Sequence, residues 1–227
     1  MQFTKKIIDG NYRFCGLQIL LRAVPFKDSI GGNFMSNTER KTKTRVLVLG
    51  AVMTALVIIL QFMGAFIRFG PFSISLVLIP IVIGAAVCGV GVGAWLGFVF
   101  GAVVLLSGDA AAFLSISPIG TVITVLLKGT ACGLAAGLVY KAVAKCNSIL
   151  AVILAAVVCP LVNTGVFLLG CGVFFLDAIK EWGIAAGHDS VLAYMFLGLV
   201  GGNFLFELAS NIILSPVITR ILKIKKF

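Results

Sequence analysis

The sequence has few of the acidic and metal-binding residues on which enzymes depend. Among its 227 residues are 8 Asp and Glu and one His, and charged residues make up 11% of the chain. It contains no Walker A sequence, no HExxH motif and no acidic pair beside a histidine. Its six cysteines include no CxxC pair, so the sequence indicates no zinc or redox motif. We therefore predict a protein that is not an enzyme, needs no cofactor or metal and does not itself hydrolyse ATP.

Hydrophobic residues are abundant instead, at 60% of the chain. A soluble domain of this composition would expose too much apolar surface. We predict an all-α membrane protein, a bundle of six transmembrane helices. Pro80 predicts a kink in the second of them. The predicted spans, numbered 1 to 6, are residues 45–67, 73–88, 90–107, 118–140, 148–175 and 192–219.

The basic residues predict how the bundle is oriented. The formal net charge is +10, and most Lys and Arg lie in three places. These are the first 45 residues, the loop between spans 4 and 5 with Lys141 and Lys145, and the C-terminus after Arg220. Because cytoplasmic loops of membrane proteins are enriched in Lys and Arg, both termini are predicted to be cytoplasmic. The expected location is a cell membrane, crossed several times.

Residues 1–44 differ in composition from residues 45–227, which we predict to form a single membrane domain. The first segment is polar and basic, and its apolar stretch, residues 16–21, is too short to cross a bilayer. Two interpretations are open. The segment is a disordered or interfacial cytoplasmic arm, or it is an extension upstream of a start at Met35. We assign it no fold.

Small residues recur every four positions in several spans. This spacing lets helix backbones approach closely. Ala51 and Ala55 in span 1 form such a pair, which can pack against this chain or against a partner. The glycine rows favour a tightly packed bundle; they are Gly89, Gly93, Gly97 and Gly101, then Gly129, Gly133 and Gly137, then Gly198 and Gly202.

Span 6 carries three polar residues, Asn203, Glu207 and Asn211, spaced four apart. On a helix they form one stripe. A carboxylate and two carboxamides in a bilayer are costly unless they face a protein interior or a water-filled cavity. This stripe is therefore the first candidate for a functional site.

Two other spans add polar groups at similar depth. Span 4 has Lys128, ten residues from its start, and span 5 has Asn163 and Thr164. One interpretation is a structural pair of Lys128 with Glu207 that joins spans 4 and 6. The other is that these residues and the span 6 stripe line a cavity for a small molecule. In the loop after span 5, Trp182 either stacks on a ring of that molecule or anchors the chain at the membrane interface.

Motifs from all six spans match one family pattern. They are Ala51-xxx-Ala55, FSISLVLIPIVIGA, the glycine-rich span 3, KGTACGLAAGLVYK, VNTGVFLLG and GGNFLFELASNIILSP. Over about residues 45–226 the chain resembles the substrate-binding S components of energy-coupling factor (ECF) transporters. It is most similar to the group that includes pantothenate- and riboflavin-type S components.

The resemblance implies a multi-pass subunit in the plasma membrane of a prokaryote. Such a subunit captures a vitamin or related metabolite outside the cell. The site would be built from spans 4 to 6 and the loops after spans 1, 3 and 5. Ala51 and Ala55 would dock on a transmembrane coupling subunit, which binds two cytoplasmic ATPases. The subunit would then topple in the membrane to release its cargo inside. Lys128, with the carboxamides nearby, suits a small anion or polar amide, so pantothenate is the first expectation.

Two other functions remain open from the residues alone. The chain can be a stand-alone ion-coupled secondary transporter in which Glu207 relays a proton or ion. It can also be a membrane scaffold without a ligand. A ligand that co-purifies with the chain would exclude the scaffold. Transport by the isolated chain would distinguish the secondary transporter from the S component of an importer.

Overall fold

The protein is described by a computed structural model that covers residues 37–66, 68–69, 72–73, 76–188 and 190–224. The N-terminal arm predicted at residues 1–44 lies mostly outside these residues. The last part of that arm is described, because the first helix, α1, runs from Asn37 to Phe66. This helix begins eight residues before residue 45, where the membrane domain was predicted to start.

Within the described ranges the fold is helical, as predicted, apart from one short strand pair. Strands β1 (Arg68–Phe69) and β2 (Phe72–Ser73) pair antiparallel, with Arg68 opposite Ser73. They lie between α1 and the second helix. The remaining helices are α2 (Leu78–Cys88), α3 (Val90–Leu106), α4 (Ala111–Leu114), α5 (Pro118–Val143), α6 (Ser148–Phe174), α7 (Leu176–Ala185), α8 (Val191–Ala193), a π-helix (Tyr194–Gly201) and α9 (Gly202–Ile224).

Four stretches of helix are long and apolar enough to cross a membrane, among the residues described. They are Lys43–Gly64, Pro118–Val143, Ser148–Phe174 and Val191–Pro216. They correspond to predicted spans 1, 4, 5 and 6. Spans 2 and 3 correspond to the shorter apolar helices Leu78–Cys88 and Val90–Leu106. The chain is thus a multi-pass membrane protein, and the count of six spans stays a prediction.

Local sequence explains where the long helices begin. Asn147 accepts hydrogen bonds from the backbone N–H groups of Ile149 and Leu150, which caps α6. Ser117 caps α5 in the same way through Gly120, and Pro118 occupies the first helical position, where a missing N–H costs nothing.

The predicted kink at Pro80 is wrong. Helix α2 begins at Leu78, five residues later than expected, so Pro80 lies in its first turn and is buried there. Backbone N–H groups of a first turn have no intrahelical acceptor, so a proline there breaks no helical bond. The turn between α2 and α3 is made instead by Gly89, whose φ of 101° favours glycine.

Helices α3 and α5 are in closest contact along a glycine seam, which we define as Gly93, Gly97, Gly129 and Gly133. A Cβ at Gly97 would overlap the backbone carbonyl oxygen of Gly129, and one at Gly93 would overlap that of Gly133. This part of the predicted glycine packing is confirmed. Gly101 and Gly137 extend this packing, since a Cβ at Gly101 would lie 2.8 Å from the carbonyl oxygen of Val125 and one at Gly137 would lie 2.8 Å from the Cα of Val90.

Other parts of the predicted rows behave differently. Gly89 belongs to a turn and not to α3. A Cβ at Gly198 would meet the side chain of Tyr194 on the same helix, and one at Gly202 would meet nothing within 4 Å. The predicted row in span 6 is therefore wrong, because neither glycine lies against another helix.

The buried core is apolar and lies between α2, α3, α5 and α6. It includes Leu78, Ile81 and Leu96, none of which has exposed surface. A second, smaller cluster forms near α7 around Phe175 and Ile179. Large apolar side chains cover the outside as well, Leu106 being 78% exposed, which suits a protein surrounded by lipid.

Candidate functional site

A cavity of about 390 Å³ lies inside the bundle. This volume is within the range of sites that take small molecules. The cavity is enclosed by α1, α3, α4, α5, α6, α7, the π-helix and α9, together with the turn between α3 and α4. Its polar wall residues are Gln61, Asp109, Thr121, Thr124, Lys128, Asn163, Thr164, Asn203 and Glu207.

Glu207 is the centre of a hydrogen-bonded cluster. Its side chain, 1% exposed, accepts an N–H from Asn203 at 3.2 Å and one from Asn163 at 3.5 Å, on different carboxylate oxygens. Asn203 lies one turn earlier on α9, and Asn163 lies on α6. The carboxylate thus joins two helices through carboxamides, which offset part of the cost of burying its charge.

Lys128 contributes a cation to the same cavity. Its Nζ lies 5.0 Å from the ring centroid of Phe167 and 5.8 Å from that of Phe100. These contacts are of the cation–π type. The pair with Glu207 that the sequence suggested does not form: the ion pair found among the described residues joins Lys180 to Asp177 at the surface. The ammonium therefore faces aromatic rings and the cavity.

Two cavity side chains have buried polar atoms without hydrogen-bond partners. They are Oγ1 of Thr124 and Oδ1 of Asn163. Leaving such an atom unpaired costs about 1–3 kcal/mol. Atoms of this kind on a cavity wall are suited to receive hydrogen bonds from a ligand or from water.

Aromatic rings line the cavity near the end where α5 begins and α6 ends. Phe113, in the short α4, packs edge to face against Phe167, Phe175 and Trp182, with centroids 5.1–5.5 Å apart. Trp182 lies on α7, a helix that the sequence analysis treated as a loop. Its half-buried ring belongs to the cavity wall.

Gln61 and Asp109 are polar wall residues that the sequence analysis did not select. The Nε2 of Gln61, on α1, donates to Oδ2 of Asp109 at 2.6 Å. Ser107 donates to the same oxygen at 3.4 Å. Gln61 is 3% exposed. A polar residue within the apolar run VIILQFMG was the available sign, since such residues rarely face lipid.

The structure brings most of the predicted site residues together. Those on the cavity wall are Lys128, Asn163, Thr164, Trp182, Asn203 and Glu207. Asn211 does not line the cavity. It is buried one turn beyond Glu207, where its Nδ2 donates to the carbonyl oxygen of Glu207 at 2.9 Å.

Comparison with known proteins identifies the family. The family model described as "ECF transporter, substrate-specific component" matches residues 45–222. The chain belongs to this family. No curated protein and no solved structure matches it significantly. The ECF family implies association with the membrane and with the partner subunits of such a transporter, and the polar cavity lies in the matched segment.

The alanine pair of this ECF component is on its surface. Ala51 and Ala55 are both exposed on α1. Beside them runs an open apolar groove between α1 and α3, whose walls include Ala51, Gly91 and Trp95. The indole N–H of Trp95 donates to Oγ1 of Thr54 at 3.3 Å, which joins the two walls. Neither alanine lines the cavity, so the cavity and the groove are separate sites.

Proposed function

We propose that the chain binds a vitamin or related small metabolite in the cavity outside the cell and delivers it to the cytoplasm. It does so as the S component of an ATP-driven ECF importer. The observation that carries this proposal is the cavity itself, where the Lys128 ammonium and the Glu207 carboxamide cluster share one wall. A purely structural bundle has no need to keep a charged side chain against an open space.

Pantothenate is the first cargo we propose. Its carboxylate is a partner for Lys128, and its amide and hydroxyl groups are partners for Asn163, Thr124 and the carboxamide of Asn203. Thr164 and Trp182 also line the cavity in which the cargo would lie. The volume of about 390 Å³ is at the lower end of the range for ligand sites, which favours a small vitamin over a large one.

We further propose a topology of six spans with both termini in the cytoplasm of a prokaryote. Helices α2 and α3 count as the second and third spans in this arrangement. At 1.5 Å per residue they are about 17 and 26 Å long. They would cross with help from local thinning of the bilayer.

Energy for uptake is proposed to come from partner subunits. The chain has no nucleotide-binding motif, so it is not itself the ATPase. The transmembrane coupling subunit is proposed to bind the exposed face of Ala51 and Ala55, and two ATPase subunits to bind that subunit in the cytoplasm. Small residues on this face allow a partner helix to approach closely.

The decisive experiment has two parts. The gently purified full chain is denatured and the released small molecules are identified by mass spectrometry; we expect one compound at one molecule per chain. The chain is then reconstituted in liposomes with and without ECF partner subunits and ATP, and uptake of that compound is measured. Uptake only in the presence of partners and ATP supports the proposal.

The same measurements decide against it in two ways. Uptake by the chain alone, driven by a proton or sodium gradient, would show a secondary transporter, with the buried Glu207 as the relay. The absence of any bound molecule would favour a scaffold. In that case Glu207→Ala would change folding alone.

A further inference from the structure

Glu207 is the most buried of the charged side chains on the described cavity wall. It is 1% exposed, whereas Lys128 is partly exposed, as is Asn203, one turn before Glu207 on α9. Each carboxylate oxygen has its own protein partner: Oε1 accepts an N–H from Asn203 at 3.2 Å, and Oε2 accepts one from Asn163 at 3.5 Å. A molecule in the cavity is therefore better placed to contact the carboxamides than the carboxylate.

The carboxylate determines which way round the two carboxamides lie. An ionised carboxylate only accepts hydrogen bonds, and an Asn side chain ends in one NH2 group and one oxygen. Asn163 and Asn203 each turn Nδ2 to Glu207, which leaves Oδ1 for other partners. A glutamine of the same shape could not hold both in this way. It has one oxygen and one NH2 group, so one of the two carboxamides would have to turn over.

The carboxamide oxygens that remain have unused capacity to accept hydrogen bonds. Oδ1 of Asn163 is buried without a hydrogen-bond partner, and no hydrogen bond to Oδ1 of Asn203 is found within the described ranges. Both residues line the cavity. Oγ1 of Thr124 is also unpaired on this wall, but a hydroxyl both donates and accepts and so favours neither. The two carboxamides therefore give their part of the wall a preference for donors.

Lys128 has the opposite preference in the same cavity. Its ammonium group only donates, and the rings of Phe167 and Phe100 lie 5.0 and 5.8 Å from Nζ. An anionic group or another acceptor on the cargo suits this position. Lys128 thus acts through its own charge, whereas Glu207 acts through the neighbours that it orients.

We infer that Glu207 is a positioning residue, whose carboxylate holds Asn163 and Asn203 with their oxygens available to the cargo. The cavity then selects a metabolite that has N–H or O–H donors for these carboxamides and an anionic or acceptor group for Lys128. This inference rests on the proposed function and specifies its substrate class. A compound of similar shape that lacks the donors is rejected, because it leaves the carboxamide oxygens unpaired.

Three probes with one skeleton test this inference. Pantothenate has an amide N–H and, on the carbon next to the amide carbonyl, a hydroxyl; these are the two donors that we assign to the carboxamides. An ester analogue replaces the amide N–H by oxygen, and a deoxy analogue replaces that hydroxyl by hydrogen. Binding of each probe to the purified full chain is measured by equilibrium dialysis. We expect each analogue to bind about 5- to 100-fold more weakly than pantothenate, the effect of leaving a buried acceptor unpaired.

Glu207→Gln separates positioning from a purely structural role. In this variant one carboxamide turns its NH2 group to the cargo, so the ratio of affinities between pantothenate and one of the analogues should fall to about one. Loss of a structural contact alone would weaken all three probes equally and leave both ratios unchanged. Glu181→Gln is the matched control, because Glu181 is exposed on α7 and off the cavity wall; affinities and ratios should stay as they are.

Asn163→Leu and Asn203→Leu show whether the carboxamides themselves receive the donors. Leucine branches at the same carbon as asparagine but has no hydrogen-bonding atom in its side chain. Each variant should abolish one of the two ratios and keep the other. If Glu207 itself accepted the donors, both variants would keep both ratios. These variants also test the inference where Glu207→Gln does not fold.

Several results would overturn the inference while the importer proposal stands, since uptake in liposomes tests that proposal separately. They are equal binding of the three probes to the unchanged protein, both ratios kept in a folded Glu207→Gln, and both ratios kept in the two Asn variants. If pantothenate does not bind, the compound released on denaturation takes its place. A released compound without N–H or O–H donors overturns the inference, and one with donors is compared with analogues that lack them. If no compound is released, the proposed function and the inference both fail.

Discussion

Lys128 and Gly129 are neighbours on α5, yet they belong to regions of opposite character. Gly129 is part of the glycine seam, where the backbones of α5 and α3 touch and no side chain intervenes. Lys128 faces a cavity whose wall is polar and aromatic and whose buried atoms are not all paired. One helix thus holds the bundle together on one face and leaves it open on the other.

The difference shows where this fold tolerates change. In the seam, backbone meets backbone, so an added carbon atom has no flexible neighbour that can move aside. The cavity side chains border a space of about 390 Å³, so a substitution there alters chemistry more than packing. We therefore expect seam variants to lose the fold and cavity variants to lose the ligand.

The largest effect is expected in the seam. Gly97→Leu places a side chain against the Gly129 carbonyl and should destabilise the bundle by about 3 kcal/mol or more, as overpacked cores do. The measurement is the monodisperse yield and thermal unfolding of the detergent-solubilised protein. Gly172→Leu is the matched control, because a Cβ at Gly172 meets nothing within 4 Å. Equal stability of the two variants would contradict a rigid seam.

The next effect is expected on ligand binding. Lys128→Met keeps most of the apolar stem of the side chain and removes its charge, so affinity for an anionic cargo should fall about 10- to 100-fold, the worth of a hydrogen bond to a charged group. Pantothenate binding and thermal unfolding are measured together. Lys180→Met removes the surface partner of Asp177 and should change neither. A Lys128→Met protein that binds normally would mean that the cation does not contact the cargo.

Much of the cavity could be predicted because the membrane restricts polar residues so strongly. Lys128, Asn163 and Glu207 come from three helices, and each has few low-energy positions in a bilayer other than a common interior space. Their convergence followed from that argument without knowledge of the packing. The glycine seam followed in the same way from residues spaced four apart.

Other features of the site depend on geometry that the spacing of residues in the sequence does not predict. Positions four apart on a helix differ by about 40°, so Asn211, eight residues after Asn203, is turned about 80° from it. It therefore contacts backbone and does not reach the cavity. The π-helix at Tyr194–Gly201, which supplies wall residues Gly198 and Leu199, has no sequence pattern that we could have recognised.

The contact between Gln61 and Asp109 was missed for a different reason. Each residue is polar, but one lies in an apolar span and the other in a turn 48 positions away. Only the packing of α1 against the turn after α3 brings them together. A single polar residue in a span indicates an interior contact without naming its partner.

A third region, the exposed face of α1 around Ala51, is expected to affect transport and not ligand binding. Ala51→Trp should leave pantothenate binding intact, because Ala51 is off the cavity wall, and should lower uptake about tenfold or more by a steric clash with the coupling subunit. Met63→Trp is the control, since Met63 is exposed about 120° away round the same helix. Lost ligand binding in Ala51→Trp would show that the alanine face packs within this chain.

The smallest effect is expected at the aromatic wall. Trp182 packs edge to face on Phe113, an arrangement worth about 0.5–1.5 kcal/mol. If the indole also holds the rings in place around the cargo, Trp182→Ala should weaken pantothenate binding about two- to tenfold, while Trp182→Phe, which keeps a ring against Phe113, should retain most of the affinity. If Trp182 only anchors the chain at the membrane interface, both variants should bind alike and differ in their partition into liposomes. This result decides whether the part of the wall that α7 forms contacts the cargo, since Trp182 is the side chain through which α7 reaches the cavity among the described residues.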